Sequence, residues 1–83
     1  MYVLYKKRKS SFKVGDILRC WDEELNRSIT GYILSVATNK QLNDYDVHIR
    51  WDDPFVAVQV ARSTQMLNFI RKGLWKYYNI TIP

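Results

Sequence analysis

Apolar and polar positions alternate most strictly between Tyr45 and Asp53, which reads Tyr-Asp-Val-His-Ile-Arg-Trp-Asp-Asp. Tyr45, Val47, Ile49 and Trp51 share one parity, while Asp46, His48, Arg50 and Asp52 share the other, so a strand here buries one face and charges the other. Asp52-Asp53-Pro54 ends it, because aspartates bond their own backbone in turns and proline removes a ladder donor. Other strands are predicted around this one. Phe12-Lys-Val-Gly-Asp16 opens a first strand that runs to about Trp21, with Gly15 as the turn residue at its entrance. Asp22 to Ser28 reads as a loop, with Asn26-Arg27-Ser28 as its turn. Ile29 to Ala37 is rich in β-branched and large apolar residues and predicts a second strand, in which Gly31 fits a bulge or a sharp bend. Thr38 to Asp44 is polar except for Leu42 and predicts a mobile loop. Phe55 to Ala61 sets Val56, Val58 and Val60 against Ala57, Gln59 and Ala61, a fourth strand.

Past Arg62 the period changes. Met66, Leu67, Phe69 and Ile70 recur at helical spacing, Ser63 has the chemistry of an N-cap, and Arg71 and Lys72 suit the C-terminal dipole just before Gly73. A helix of about two to three turns is expected, then a last strand from Leu74 to Ile82. The inward positions of these elements predict a core that includes Leu18, Leu34, Val47, Ile49, Trp51, Val58 and Phe69.

The stretches FKVGDILRCW, ITGYILSVA and YDVHIRWDD, followed by a helical turn and a final strand, resemble the SH3-like barrels, a group that includes Tudor and KOW domains. The likeness covers roughly residues 12–82. The ending STQMLNFIRKGLWKYY is similar to the helix-Gly-x-Trp ending of small SH3-like proteins from tailed bacteriophages, which suggests a phage source. The fold class expected is mainly β: an SH3-like barrel of about five antiparallel strands over residues 12–83, with a short helix before the last strand and a basic arm at 1–11.

A chain of 83 residues has room for one domain, and its density must come from three Trp, six Tyr and three Phe, each burying about 150–250 Å². The lone Cys20 cannot form an internal disulfide, and no Cys and His set has metal-ligand spacing. No cofactor is implied, and packing alone must hold the fold, as in the reducing cytoplasm of a host cell or in a virion. Met1 to Tyr5 is too short for a signal peptide, and no apolar run reaches the roughly 18 residues of a membrane span.

Charge changes the picture. Lys6, Lys7, Arg8, Lys9 and Lys13 precede any acid; all eight acids lie between Asp16 and Asp53; and Arg62, Arg71, Lys72 and Lys76 follow the last of them. If the termini meet in the fold, both basic ends form one surface. Enzyme is the least expected class. A nucleophile needs a positioned base, yet His48 reads as a solvated strand residue and Cys20 as a small buried hydrophobe. Glu23-Glu24 and Asp52-Asp53 lie in turns, and the glycines, Gly15, Gly31 and Gly73, form no phosphate loop. No catalytic residue and no metal ligand is assigned.

Lys6, Lys7, Arg8 and Lys9 would neutralise phosphates in a sequence-blind, salt-sensitive way, although such a run also serves simply as a solvated tail. Lys13, Arg71, Lys72 and Lys76 extend the basic set, and Trp75, Tyr77 and Tyr78 interleave aromatics with it, as stacking on bases requires. Trp75 reads equally well as core. The Tudor resemblance implies a second constellation, an aromatic cage of Trp21, Tyr32 and Trp51 with Asp53 that would hold a methylated side chain by cation–π attraction. The ordinary reading of those rings is core and rim packing. The function expected is non-enzymatic binding of nucleic acid without sequence preference. The alternative is a virion structural or adaptor protein, or a small early protein docking on a host protein through the acidic middle. No membrane partner is expected.

Overall fold

The computed structural model describes residues 12–55 and 58–79. In these, five strands and one helix follow as β1 (Ile17–Asp22), β2 (Arg27–Asn39), β3 (Asp44–Trp51), β4 (Val58–Arg62), α1 (Ser63–Arg71) and β5 (Trp75–Tyr78). All strand pairs are antiparallel, in one sheet of order β4-β3-β2-β1-β5. The first four strands form a meander, β5 returns to the free side of β1, and α1 packs against β3, β4 and β5. The fold is mainly β, with five antiparallel strands and a short helix before the last, as the alternation of the chain predicts. The expected arm, 1–11, lies outside the described residues, as do Val56 and Ala57 and the end of the expected last strand beyond Asn79.

The inner face of the sheet holds Leu18, Ile29, Ile33, Val47, Ile49, Trp51 and Ala61, with Met66 of α1 and Phe12 completing the core. Removing such side chains from water stabilises the fold by roughly 1.5–3 kcal/mol each. Leu18, Val47, Ile49 and Trp51 are buried as expected, and Phe69 is half-buried. Leu34 and Val58 are not buried: both are exposed. In the β2–β3 ladder the register passes from Ile33↔Ile49 directly to Ser35↔His48, so Leu34 is the extra residue of a bulge and turns outward while Ile33 and Val36 both face in. Val58 lies opposite Arg50, an outward residue, which leaves Gln59 and Ala61 as the inward pair of β4. The Trp51 indole N–H donates to Gln59 Oε1 at 2.8 Å, so the polar residue of that pair is satisfied inside.

Four local expectations change for physical reasons. Gly31 is not at the bulge: it pairs in register with Leu18 and Trp51, and a Cβ there would stand 2.7 Å from the Trp51 ring, so glycine is required by close packing. The stretch Thr38–Asp44 is not a loop along its length, because β2 and β3 pair through Thr38↔Tyr45 and Asn39↔Asp44. Its polar groups close the hairpin: the Asn39 amide donates to Asp46, its carbonyl accepts from the Leu42 N–H, and Asn43 takes the left-handed conformation at φ 55°. Ser63 is not the N-cap but the first helical residue. Its hydroxyl donates to Asp44 Oδ1 and that of Thr64 to Asp44 Oδ2, each at 2.7 Å, so the start of α1 is anchored on the start of β3. The first strand begins at Ile17, later than expected, because Lys13–Asp16 is a turn with Gly15 at φ 95° and the Asp16 N–H donating to the Lys13 carbonyl. The helix stops where predicted: Gly73 at φ 78° donates to Ile70 O, and Leu74 N–H donates to Phe69 O.

Candidate functional site

Side chains of opposite parity to the core form the outer face of the sheet, and strand pairing places them in rows. One row runs across all five strands as Val58, Arg50, Tyr32, Ile17 and Tyr78. The next brings Thr30, Arg19 and Lys76 side by side, and beyond it Trp21 faces Ser28. Three rings on this face are open to solvent: Trp21 is 59% exposed, Tyr32 47% and Tyr78 47%. Between Trp21 and Tyr78 lies a shallow groove of about 310 Å³, with Arg19, Lys76, Ser28 and Leu74 among its walls. Asp52 is engaged: its side chain accepts the Thr30 N–H at 2.9 Å and faces Arg27 at 3.6 Å.

The residues singled out from the sequence divide between the two faces. Lys6, Lys7, Arg8 and Lys9 lie outside the described residues. Lys13 is exposed in the turn before β1, and Arg71 and Lys72 are exposed at the end of α1. Lys76 is exposed on the outer face, but its neighbours Trp75 and Tyr77 belong to the inner one and are half-buried. Trp75 packs edge-on against Trp51, with ring centroids 5.3 Å apart, and at a tilt of 45° against Phe69 at 4.9 Å. Tyr77 meets Phe12 edge-on at 5.1 Å and donates its hydroxyl to Asp16. Asp16 is fully buried; its Oδ2 also accepts the Lys13 N–H, while Oδ1 has no partner among the described residues. Burial, then the hydrogen bond and charge of Asp16, push the Tyr77 phenol above its ordinary value.

The four residues of the expected cage do not converge. Trp21 and Tyr32 stand on the outer face, whereas Trp51 and Asp53 are buried on the other side of the sheet. Trp51 and Asp53 instead line a solvent-open pocket of about 330 Å³ with Trp75, Phe69 and Gln59. Cys20 borders the same pocket, and burial, then Asp22, Asp52 and Asp53, raise its pKa, so the thiol stays protonated at neutral pH. His48 is half-exposed, with Nδ1 3.1 Å from the Ser35 hydroxyl. Among the described residues no group of three His, Cys, Asp or Glu side chains is placed to hold a metal, and no helix is long and apolar enough to cross a membrane.

Sequence reasoning picked out Tyr78 among the interleaved aromatics but missed Arg19 and Arg50 as members of a surface site. The signal for Arg19 was present, since Ile17, Arg19 and Trp21 alternate with Leu18 and Cys20. No protein-family model, curated protein or solved structure matches the chain.

Proposed function

We propose that the protein is a non-enzymatic module that binds nucleic acid without sequence preference, through the basic arm Lys6–Lys9 and the outer face of the sheet. One observation carries this reading: the outer face sets the cations Arg19, Arg50 and Lys76 among the exposed rings Trp21, Tyr32 and Tyr78. Cations interleaved with aromatics suit a ligand that is both a polyanion and a stack of flat rings. Lys6, Lys7, Arg8 and Lys9 make up most of the chain's net positive charge, so the arm supplies most of the salt-sensitive part of the affinity. In a gel shift with arbitrary oligonucleotides, binding at about 50 mM salt should weaken steeply by about 200 mM. Replacing Lys6, Lys7, Arg8 and Lys9 with alanine should reduce the slope of log affinity against log salt by about 0.9 for each duplex phosphate that is no longer neutralised. Absence of binding at about 50 mM salt, where attraction to phosphate is strongest, contradicts the reading.

A second reading, an adaptor that docks on a protein, is favoured by the β4 side of the molecule. Val58 and Val60 of β4 are exposed there at 53% and 54%, on a strand whose only partner among the described residues is β3, and Phe55, ahead of that strand, is 75% exposed. An edge of this kind is a template for another strand. Recovery of the protein in purified particles, insensitive to nuclease, supports this reading over the first.

A further inference from the structure

The nucleic-acid reading leaves open whether a duplex or a free strand is bound, and the groove on the outer face bears on that choice. Arg19 and Lys76 are directly opposite each other on β1 and β5. Like charges in that relation destabilise a sheet, and neither residue is in an ion pair among the described residues. Packing gives no reason for the pair. A polyanion lying along the groove does.

The rings add the second half of the chemistry. Trp21 lies four residues from the Tyr78 row along β1, about 13 Å at the rise of a strand, and the two cations fall between these rings. Tyr32 stands two strands from Tyr78 in the same row, with the half-buried Ile17 between them. More than half of the Trp21 surface and nearly half of each tyrosine is left in water. In a duplex the faces of the bases are hidden in the stack, so exposed rings have nothing there to cover them. In an unpaired strand those faces are free, and stacking on aromatic side chains tolerates any base.

We infer that the groove between Trp21 and Tyr78 is a binding site for single-stranded nucleic acid, in which bases stack on Trp21, Tyr78 and Tyr32 while Arg19 and Lys76 hold the backbone between them. This rests on the nucleic-acid reading and narrows it to unpaired strands.

The test compares binding of the full chain to oligo-dT, oligo-U and an arbitrary duplex at one salt concentration, for the parent and for Trp21→Ala, Tyr78→Ala and Tyr78→Phe. Each variant is first shown by circular dichroism and thermal melting to keep the fold. Single strands should bind more tightly than the duplex, with the tighter of the two homopolymers naming the preferred sugar. Each alanine variant should lose roughly 5- to 150-fold in single-strand affinity for each base that loses its ring, with duplex binding unchanged. Tyr78→Phe, which keeps the ring, should bind like the parent. Quenching of Trp21 fluorescence by oligo-dT, absent in Trp21→Phe, gives an independent readout. A parent that binds duplex as tightly as single strand, or alanine variants that lose neither, would overturn the inference while leaving nucleic-acid binding in place. A parent that binds none of the three overturns both.

Discussion

At the scale of single residues, the most consequential pair is Asp16 with Tyr77. A carboxylate with no solvent exposure needs donors, and Tyr77 supplies one of the two given to Oδ2. Removing the hydroxyl in Tyr77→Phe should cost about 1–3 kcal/mol, the penalty for leaving a buried acceptor short of a donor. The same hydrogen bond fixes a pH dependence. The phenol ionises near 10 in the unfolded chain and only above that in the folded one. The folded state therefore holds the extra proton in this range, and stability present below about pH 10 is lost as pH rises beyond it. Urea melts from neutral pH to about 10.5 should show a falling stability that is shallower in Tyr77→Phe. Equal alkaline slopes in parent and variant would contradict the hydrogen bond. Asp44 acts in the opposite sense. Partial burial raises its pKa, but the hydroxyls of Ser63 and Thr64 and the backbone N–H groups of Tyr45 and Thr64 outweigh this and lower it, so the anchor of α1 holds above the ordinary carboxylate range and weakens in acid.

At the scale of elements, legibility follows how much each element depends on its own residues. The inward parity of β3 is readable because its alternation is unbroken, and the end of α1 because Gly73 alone carries the turn. The start of α1 is not, since its anchor, Asp44, lies 19 residues from Ser63 in the chain. From sequence β4 reads with the wrong face inward because valine and alanine are both apolar; the register against Arg50 and His48 decides, and no local pattern encodes that. The β2–β3 hairpin reads short because polar residues suggest loops, whereas Asn39 and Asp46 use their polarity to bond across the strands. This yields a measurable expectation. Backbone amides of Val36–Asn39 and Asp44–Val47 that point at the partner strand should exchange slowly, and those of 40–43 quickly. Uniformly fast exchange from residue 38 to 45 would instead restore the longer loop.

At the scale of the whole molecule, the chain's positive surplus is legible in the sequence but its placement is not. Lys76 can be named from the sequence, yet which of Lys76, Trp75 and Tyr77 face outward depends on Trp75 packing against Trp51 across the core. That packing turns Lys76 and Tyr78 to the same side as Arg19 and Trp21. The central claim is that this outer face is the nucleic-acid interface, and mapping amide chemical shifts during titration with a single-stranded oligonucleotide tests it most directly. Shifts should concentrate at Arg19, Trp21, Ser28, Tyr32, Lys76 and Tyr78 and leave the β2–β3 turn and β4 unchanged. Shifts confined to β4 or to the acidic β2–β3 hairpin, or none at saturating oligonucleotide, would contradict it.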